Sequence, residues 1–155
     1  MSDSDRVREF GIMRRLLVAY DGSAQARRAV EVAVDLAQKY RASITLLTAI
    51  HHPSFAATVG EVEESHHEQR LAVEQMQREA IEYARLRGID PGAEIVAGHP
   101  AEAIIEYART HEVDLIVMGH RGMSNLQRFF VGSVADRVVD HAPCMVLIVG
   151  RDSAT

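Results

Sequence analysis

Short apolar runs alternate with longer stretches of helical periodicity from one end of the chain to the other. Arg14 to Tyr20 reads Arg-Arg-Leu-Leu-Val-Ala-Tyr, a continuous apolar run of strand length, as expected for a strand covered on both faces. It stops at Asp21-Gly22-Ser23, which is turn chemistry followed by a helix N-cap. Ala26, Ala29, Val30, Ala33 and Ala37 then recur at steps of three and four, predicting a helix whose narrow small-residue face lies close to a sheet. Ser43 to Ile50 reads as the second strand, and His51 to Gly60 as an irregular connection. Between about Glu61 and Arg87 the apolar positions Val73, Met76, Ala80 and Ala84 predict a long helix. Glu74 and Arg78 are spaced to pair on its surface, and Arg85, Arg87 and Gly88 form its C-terminal signal.

The alternation continues with a strand at Ala93 to Ala97 and a break at Gly98-His99-Pro100. A helix follows on Ala101, Ile104, Ile105 and Ala108, then a buried strand at Asp114 to Met118. A last helix on Val134, Ala135, Val138 and Val139 is closed by Pro143, and Cys144 to Val149 reads as the final strand. Five strands alternating with four helices predict a parallel sheet wrapped by right-handed crossovers, hence a three-layer α/β/α domain with an open five-stranded sheet. Residues 1–12, of mixed charge and without periodicity, read as a flexible extension; 13–150 as one domain; 151–155 as a tail.

Composition narrows the chemistry. A formal net charge of −5 speaks against duplex nucleic acid as partner, and with no Trp and 5% aromatics there is no stacking surface for single strands. The single cysteine, Cys144, excludes a disulfide framework and sits among apolar residues, so it reads as a core residue rather than a nucleophile. No apolar run reaches the ~20 residues of a membrane span. The polar first residues carry no secretory signal, so the expectation is a cytoplasmic protein with no membrane partner. Eight histidines invite a metal site. The adjacent pairs His51-His52 and His66-His67 point in different directions, however, and no transition-metal site is assigned.

The segment after the fourth strand is the most informative. Gly119-His120-Arg121-Gly122 is followed by nine residues and then Gly132-Ser133. Such a loop leaves the carboxyl end of a strand, where α/β ligands bind, and its glycines let backbone amides approach an anion. Gly132-Ser133 stands where the last helix begins, bringing free amides and the positive dipole end to the same place. The alternative is structural: the glycines shape a turn, Ser133 is a cap, and Asp21 only closes an Asx turn. Neither a P-loop nor a Gly-x-Gly-x-x-Gly motif is present, which removes kinase-like and dinucleotide-fold readings.

Leu17-Val-Ala-Tyr-Asp-Gly-Ser23, Asp114-Leu-Ile-Val-Met-Gly119, the Gly119/Gly122/Gly132-Ser133 spacing and Pro143-Cys-Met-Val-Leu-Ile-Val149 together resemble the universal stress protein family. The resemblance implies strand order 3-2-1-4-5 and the adenine nucleotide alpha hydrolase-like fold, and the intact glycine pattern implies the family's ATP-binding branch. It further implies that Ala19 and Asp21 hold the adenosine side, Asp21 accepting from ribose hydroxyls. Ala49 would lie against the adenine, Met118 would form the floor, and Gly119, Arg121, Gly122, Gly132, Ser133 and Val134 would line the ribose and phosphates. For Met118 and Val134, core packing is the alternative role. Any Mg²⁺ or Mn²⁺ would be held mainly by the phosphates. Two departures stand out: Arg121 where some relatives place His, and Met145 where a proline is common. A homodimer through Cys144 to Val149 is implied, because an exposed apolar edge needs cover.

The function implied is a nucleotide-dependent regulatory module of the stress response. A slow ATPase or phosphotransferase, a dimeric scaffold and a cyclic-nucleotide binder stand as alternatives. No catalytic residue is assigned, since the loop offers Arg121 and Arg128 but no lysine and no evident base, with His120 and Ser124 read as facing solvent.

Overall fold

The computed structural model describes residues 12–50, 58–120 and 132–150. Each apolar run becomes a strand and each periodic stretch a helix: β1 (Arg15–Ala19), α1 (Ala24–Tyr40), β2 (Ser43–Ile50), α2 (Val59–Arg85), β3 (Gly92–Ala97), α3 (Pro100–Thr110), β4 (Leu115–Gly119), α4 (Ser133–His141) and β5 (Met145–Val149). The strands form one sheet in the order β3-β2-β1-β4-β5, and every neighbouring pair is parallel.

Leu16 and Val18 of β1 point to one face of the sheet, where they pack with the alanine stripe of α1 (Ala26, Ala29, Ala33, Ala37) and with Ala80 and Ala84 of α2. Leu17 points to the other face and packs with Ala101, Ile104 and Ala108 of α3 and with Ala135 and Val138 of α4. That two-sided burial is why β1 and β4 read as unbroken apolar runs. The chain winds from β1 through β2 to β3 with α1 and α2 on one face. It then crosses to β4 and β5 with α3 and α4 on the other, so the winding reverses between β1 and β4. In open α/β sheets the crevice at the carboxyl ends of such a pair is where ligands bind.

Helix α2 departs from the sequence reading in its bounds and in its surface pairing. Helix α2 begins two residues early, at Val59, because Thr58 and Glu61 form a reciprocal capping box in which each side chain bonds the other's backbone amide. It ends at Arg85, and the chain leaves through Gly88 at φ +79. The expected Glu74–Arg78 pair does not form: Glu74 meets Arg70 at 3.7 Å and Arg78 donates to Gln75 at 3.1 Å. At the amino end of the sheet, the Asp114 carboxylate accepts from the backbone N–H groups of Arg14 and Arg15 at 2.8 and 2.9 Å, fixing where β1 starts relative to β4.

Candidate functional site

Beyond the end of β1, the Tyr20 N–H donates to the Leu47 carbonyl at 2.9 Å and the Tyr20 carbonyl accepts from Thr48 Oγ1 at 2.6 Å. The chain is thus held against β2 for one more residue and then released. Asp21 is exposed, and its Oδ1 accepts from the Ser23 N–H at 2.9 Å, closing an Asx turn. Gly22 sits at φ +78, and Ser23 caps α1 by accepting from the Ala26 N–H at 3.1 Å. The Asx turn uses one carboxylate oxygen of Asp21; Oδ2 has no partner among the described residues. The Asx turn therefore leaves one carboxylate oxygen of this side chain open to a further contact.

On the neighbouring strand, Gly119 ends β4 in register with Val149. His120 continues the ladder by donating its N–H to Val149 O at 2.9 Å, and the Gly132 N–H returns to His120 O at 2.9 Å. Val18 pairs with Val117, so Asp21 and His120 each lie three residues further along adjacent parallel strands. Gly132, bonded to His120, stands on the same rim as Asp21. The two halves of the sequence pattern, more than a hundred residues apart, converge there because the winding reverses between β1 and β4.

Gly132, not Ser133, is the N-cap of α4, with extended backbone and no side-chain cap. This corrects the reading of Ser133 as a cap: it is the first helical residue, exposed, with its hydroxyl free of that role. Because the Asp136 N–H bonds Gly132 O, the amides of Ser133, Val134 and Ala135 are those without an acceptor in the helix itself, and they are aligned at its positive end. Val134 is half-buried and packs on the α3/α4 core. Met118 is buried in that core and Ala19 packs at its margin. Ala49, two residues beyond Leu47 on β2, shares the same face by strand alternation. Ala19, Ala49 and Met118 thus lie on the same face of the sheet, near its carboxyl end. Arg121 and Gly122 lie outside the described residues, as do His51-His52, Ser124 and Arg128.

Burial pushes the Tyr20 phenol above its ordinary value, against the hydrogen bond and charge of the Arg27 guanidinium. Burial likewise pushes the Cys144 thiol up, so it is held as the neutral thiol and is a poor nucleophile. Among the described residues no group of three or more His, Cys, Asp or Glu is placed to hold a metal ion, and no helix is long and apolar enough to cross a membrane. At the opposite, amino rim lies a depression of about 400 Å³ lined by Arg15, Ser43, Tyr107, His111 and Glu112 among others. There Arg15 is already engaged by Glu112 at 3.2 Å and by the His111 carbonyl at 3.3 Å.

Sequence reasoning missed Thr48, Gln77 and the contact of Met76 with the turn. Gln77 Nε2 donates to Thr48 Oγ1 at 3.0 Å and to the Glu94 carbonyl at 3.1 Å, within the core. The signal was available in principle. Gln77 occupies a place in the apolar stripe Val73, Gln77, Ala80, Ala84, and a polar residue on such a stripe needs a buried partner.

The family model that matches this chain is that of the universal stress protein family, over residues 13–150. The universal stress protein in the QAH/OAS sulfhydrylase 3′ region of Thermus aquaticus is 36% identical over 141 residues, covering 89% of this chain and 99% of its own. Among solved structures, the universal stress protein UspA from Lactobacillus plantarum superposes with a TM-score of 0.80 at 30% identity, covering 88% of this chain and 97% of that one. A universal stress protein solved in complex with cAMP superposes with a TM-score of 0.70 at 28% identity, covering 88% and 96%. On the sheet order, the rim that gathers both ends of the motif and these matches over nearly the whole domain, the chain belongs to the universal stress protein family.

Proposed function

We propose that the crevice between β1 and β4 binds ATP and that the chain acts as a nucleotide-dependent regulatory module in the stress response. The observation that supports this most directly is the meeting of the Asp21 turn with the uncapped start of α4 on one rim. In this reading the free oxygen of Asp21 accepts from the ribose hydroxyls. Ala19, Ala49 and Met118 face the adenosine, and Gly119, Gly132 and the amides of Ser133 and Val134 meet the phosphates. Arg121 and Gly122 complete the phosphate side by the motif alone. Any Mg²⁺ or Mn²⁺ would be held mainly by the phosphates, since among the described residues no cluster of His, Cys, Asp or Glu offers a cage. The loop sequence offers no lysine and no evident base, so in this reading hydrolysis is slow and the bound state itself is the signal. The protein works in the cytoplasm.

A cyclic nucleotide is the second reading, favoured by the cAMP described for a relative of 28% identity. Adenosine contacts are common to both ligands, and only the phosphate side, the glycine loop and the α4 amides, would tell them apart. We also propose a homodimer through residues 144–149. Strand β5 is an outer strand of the sheet, its residues Val146 to Val149 are only half-buried and Met145 is 45% exposed. Methionine there supplies a backbone donor that proline would lack.

The test is mass spectrometry of small molecules released when the purified protein is denatured, together with calorimetric titration of ATP and cAMP. ATP released and rebound supports the first reading, and cAMP preference the second. Absence of any adenine nucleotide and of binding overturns both.

A further inference from the structure

We infer that Gln77 and Thr48 form a positioning relay that holds the Asp21 turn in its ligand-ready shape; the inference rests on the nucleotide reading above and names how that site is kept in order. Both side chains are buried, Thr48 at 5% and Gln77 at 3% exposure. The hydroxyl of Thr48 has one hydrogen, and it is spent on the Tyr20 carbonyl at 2.6 Å. Toward Gln77 it is therefore the acceptor, at 3.0 Å, and the second Gln77 contact, the Glu94 carbonyl at 3.1 Å, is also an acceptor. Both contacts require the amide nitrogen of Gln77, so the relay has one direction: Gln77 to Thr48 to Tyr20.

Its end point is the residue before Asp21. With the Tyr20 N–H on Leu47 O and its carbonyl on Thr48, the last peptide before the turn is clamped at both groups. The next residue of α2 in the opposite direction, Met76, lies against Gly22, where an added Cβ would stand 2.4 Å from Sδ. Two consecutive residues of α2 thus brace one turn, one through β2 by hydrogen bonds and one by contact.

A core needing only filler would take Val at 48 and Leu at 77. Burying an amide and a hydroxyl instead costs desolvation that only their bonds offset; one line of those bonds ends on the residue before the turn, and the other ties α2 to β3. Without the Thr48 hydroxyl the Tyr20 carbonyl is a buried acceptor left unpaired. The turn relieves this by moving toward solvent, carrying the Asp21 carboxylate away from the crevice.

The experiment uses the full chain and compares wild type, Thr48→Val, Thr48→Ser, Gln77→Leu and, as a control for lost core packing elsewhere, Ile104→Val in α3. Two quantities are read: ATP affinity by calorimetry, and hydrogen exchange of the Ser23 amide, which is held by Asp21 Oδ1. Thr48→Val and Gln77→Leu are expected to weaken ATP binding by about five- to tenfold and to speed Ser23 exchange. Thr48→Ser, which loses a methyl but keeps the hydroxyl, restores both, and Ile104→Val moves neither. A relay of purely structural value would instead make Thr48→Ser follow its stability. Thr48→Val with wild-type affinity or wild-type Ser23 exchange, or Thr48→Ser as impaired as Thr48→Val, overturns the inference. Should wild type bind no ATP, the nucleotide reading fails by itself. Ser23 exchange then still decides the relay: faster in Thr48→Val and rescued by Ser supports it, unchanged overturns it.

Discussion

Replacing Gly22 by Ala tests the packing of the β1–α1 turn at its tightest point. Two costs add. The backbone there is left-handed, at φ +78, and an L-residue in that region costs about 1–2 kcal/mol. The new methyl would also stand 2.4 Å from Met76 Sδ and 2.8 Å from Met76 Cγ, which forces the methionine to move in a packed layer at about 1–3 kcal/mol. The expected loss is about 2–5 kcal/mol, a large share of the roughly 5–15 kcal/mol by which a domain is stable. Urea denaturation followed by circular dichroism measures it. A double-mutant cycle separates the two parts: Met76→Ala removes the obstructing sulfur, so Gly22→Ala in that background keeps only the backbone cost. A coupling of about 1–3 kcal/mol is expected between the sites. A loss below about 0.5 kcal/mol for Gly22→Ala, or strict additivity with Met76→Ala, would refute the close contact on which the bracing of this turn depends.

Other substitutions test other joints. Asp114→Ala removes the carboxylate that accepts from Arg14 and Arg15 and should cost about 2 kcal/mol in the same assay, with Asp114→Asn recovering part of it. Arg41 ends α1 in the left-handed region at φ 54, where glycine is the usual residue, so Arg41→Gly should raise the melting temperature, by about 0.5–1 kcal/mol of stability. The folded Tyr20 phenol ionises above its ordinary 10.0, so its contribution is fully present below pH 10.0 and is lost as pH rises through the folded value. Stability measured between pH 9 and 11 should fall less steeply in Tyr20→Phe than in wild type. Equal slopes would show that burial of the phenol has no part in the alkaline loss.

Much of the architecture was legible along the chain because strand and helix periodicity are local properties. Apolar runs bounded by Asp-Gly-Ser, Gly-His-Pro and Pro143 marked the strands, and alanines at three- and four-residue steps marked the helix that lies closest to the sheet. The parallel sheet followed from the alternation, and strand order from resemblance. The glycine and aspartate motifs marked the rim by residue type alone. Tertiary structure alone decided how those pieces meet. The Asp114 clamp on the start of β1 spans 99 and 100 residues, and the Gln77–Thr48 bond spans 29. No local pattern encodes such partners, since they arise only when the crossovers bring distant strands and helices together. The same holds for Ser133: a glycine followed by a serine is compatible with either as N-cap, and the bond from the Gly132 N–H to His120, which anchors that residue outside the helix, decided for Gly132. On the surface of α2, geometry within the helix gave Glu74 to Arg70 rather than Arg78, because at one turn's spacing both cations were in reach and only side-chain conformation could choose between them.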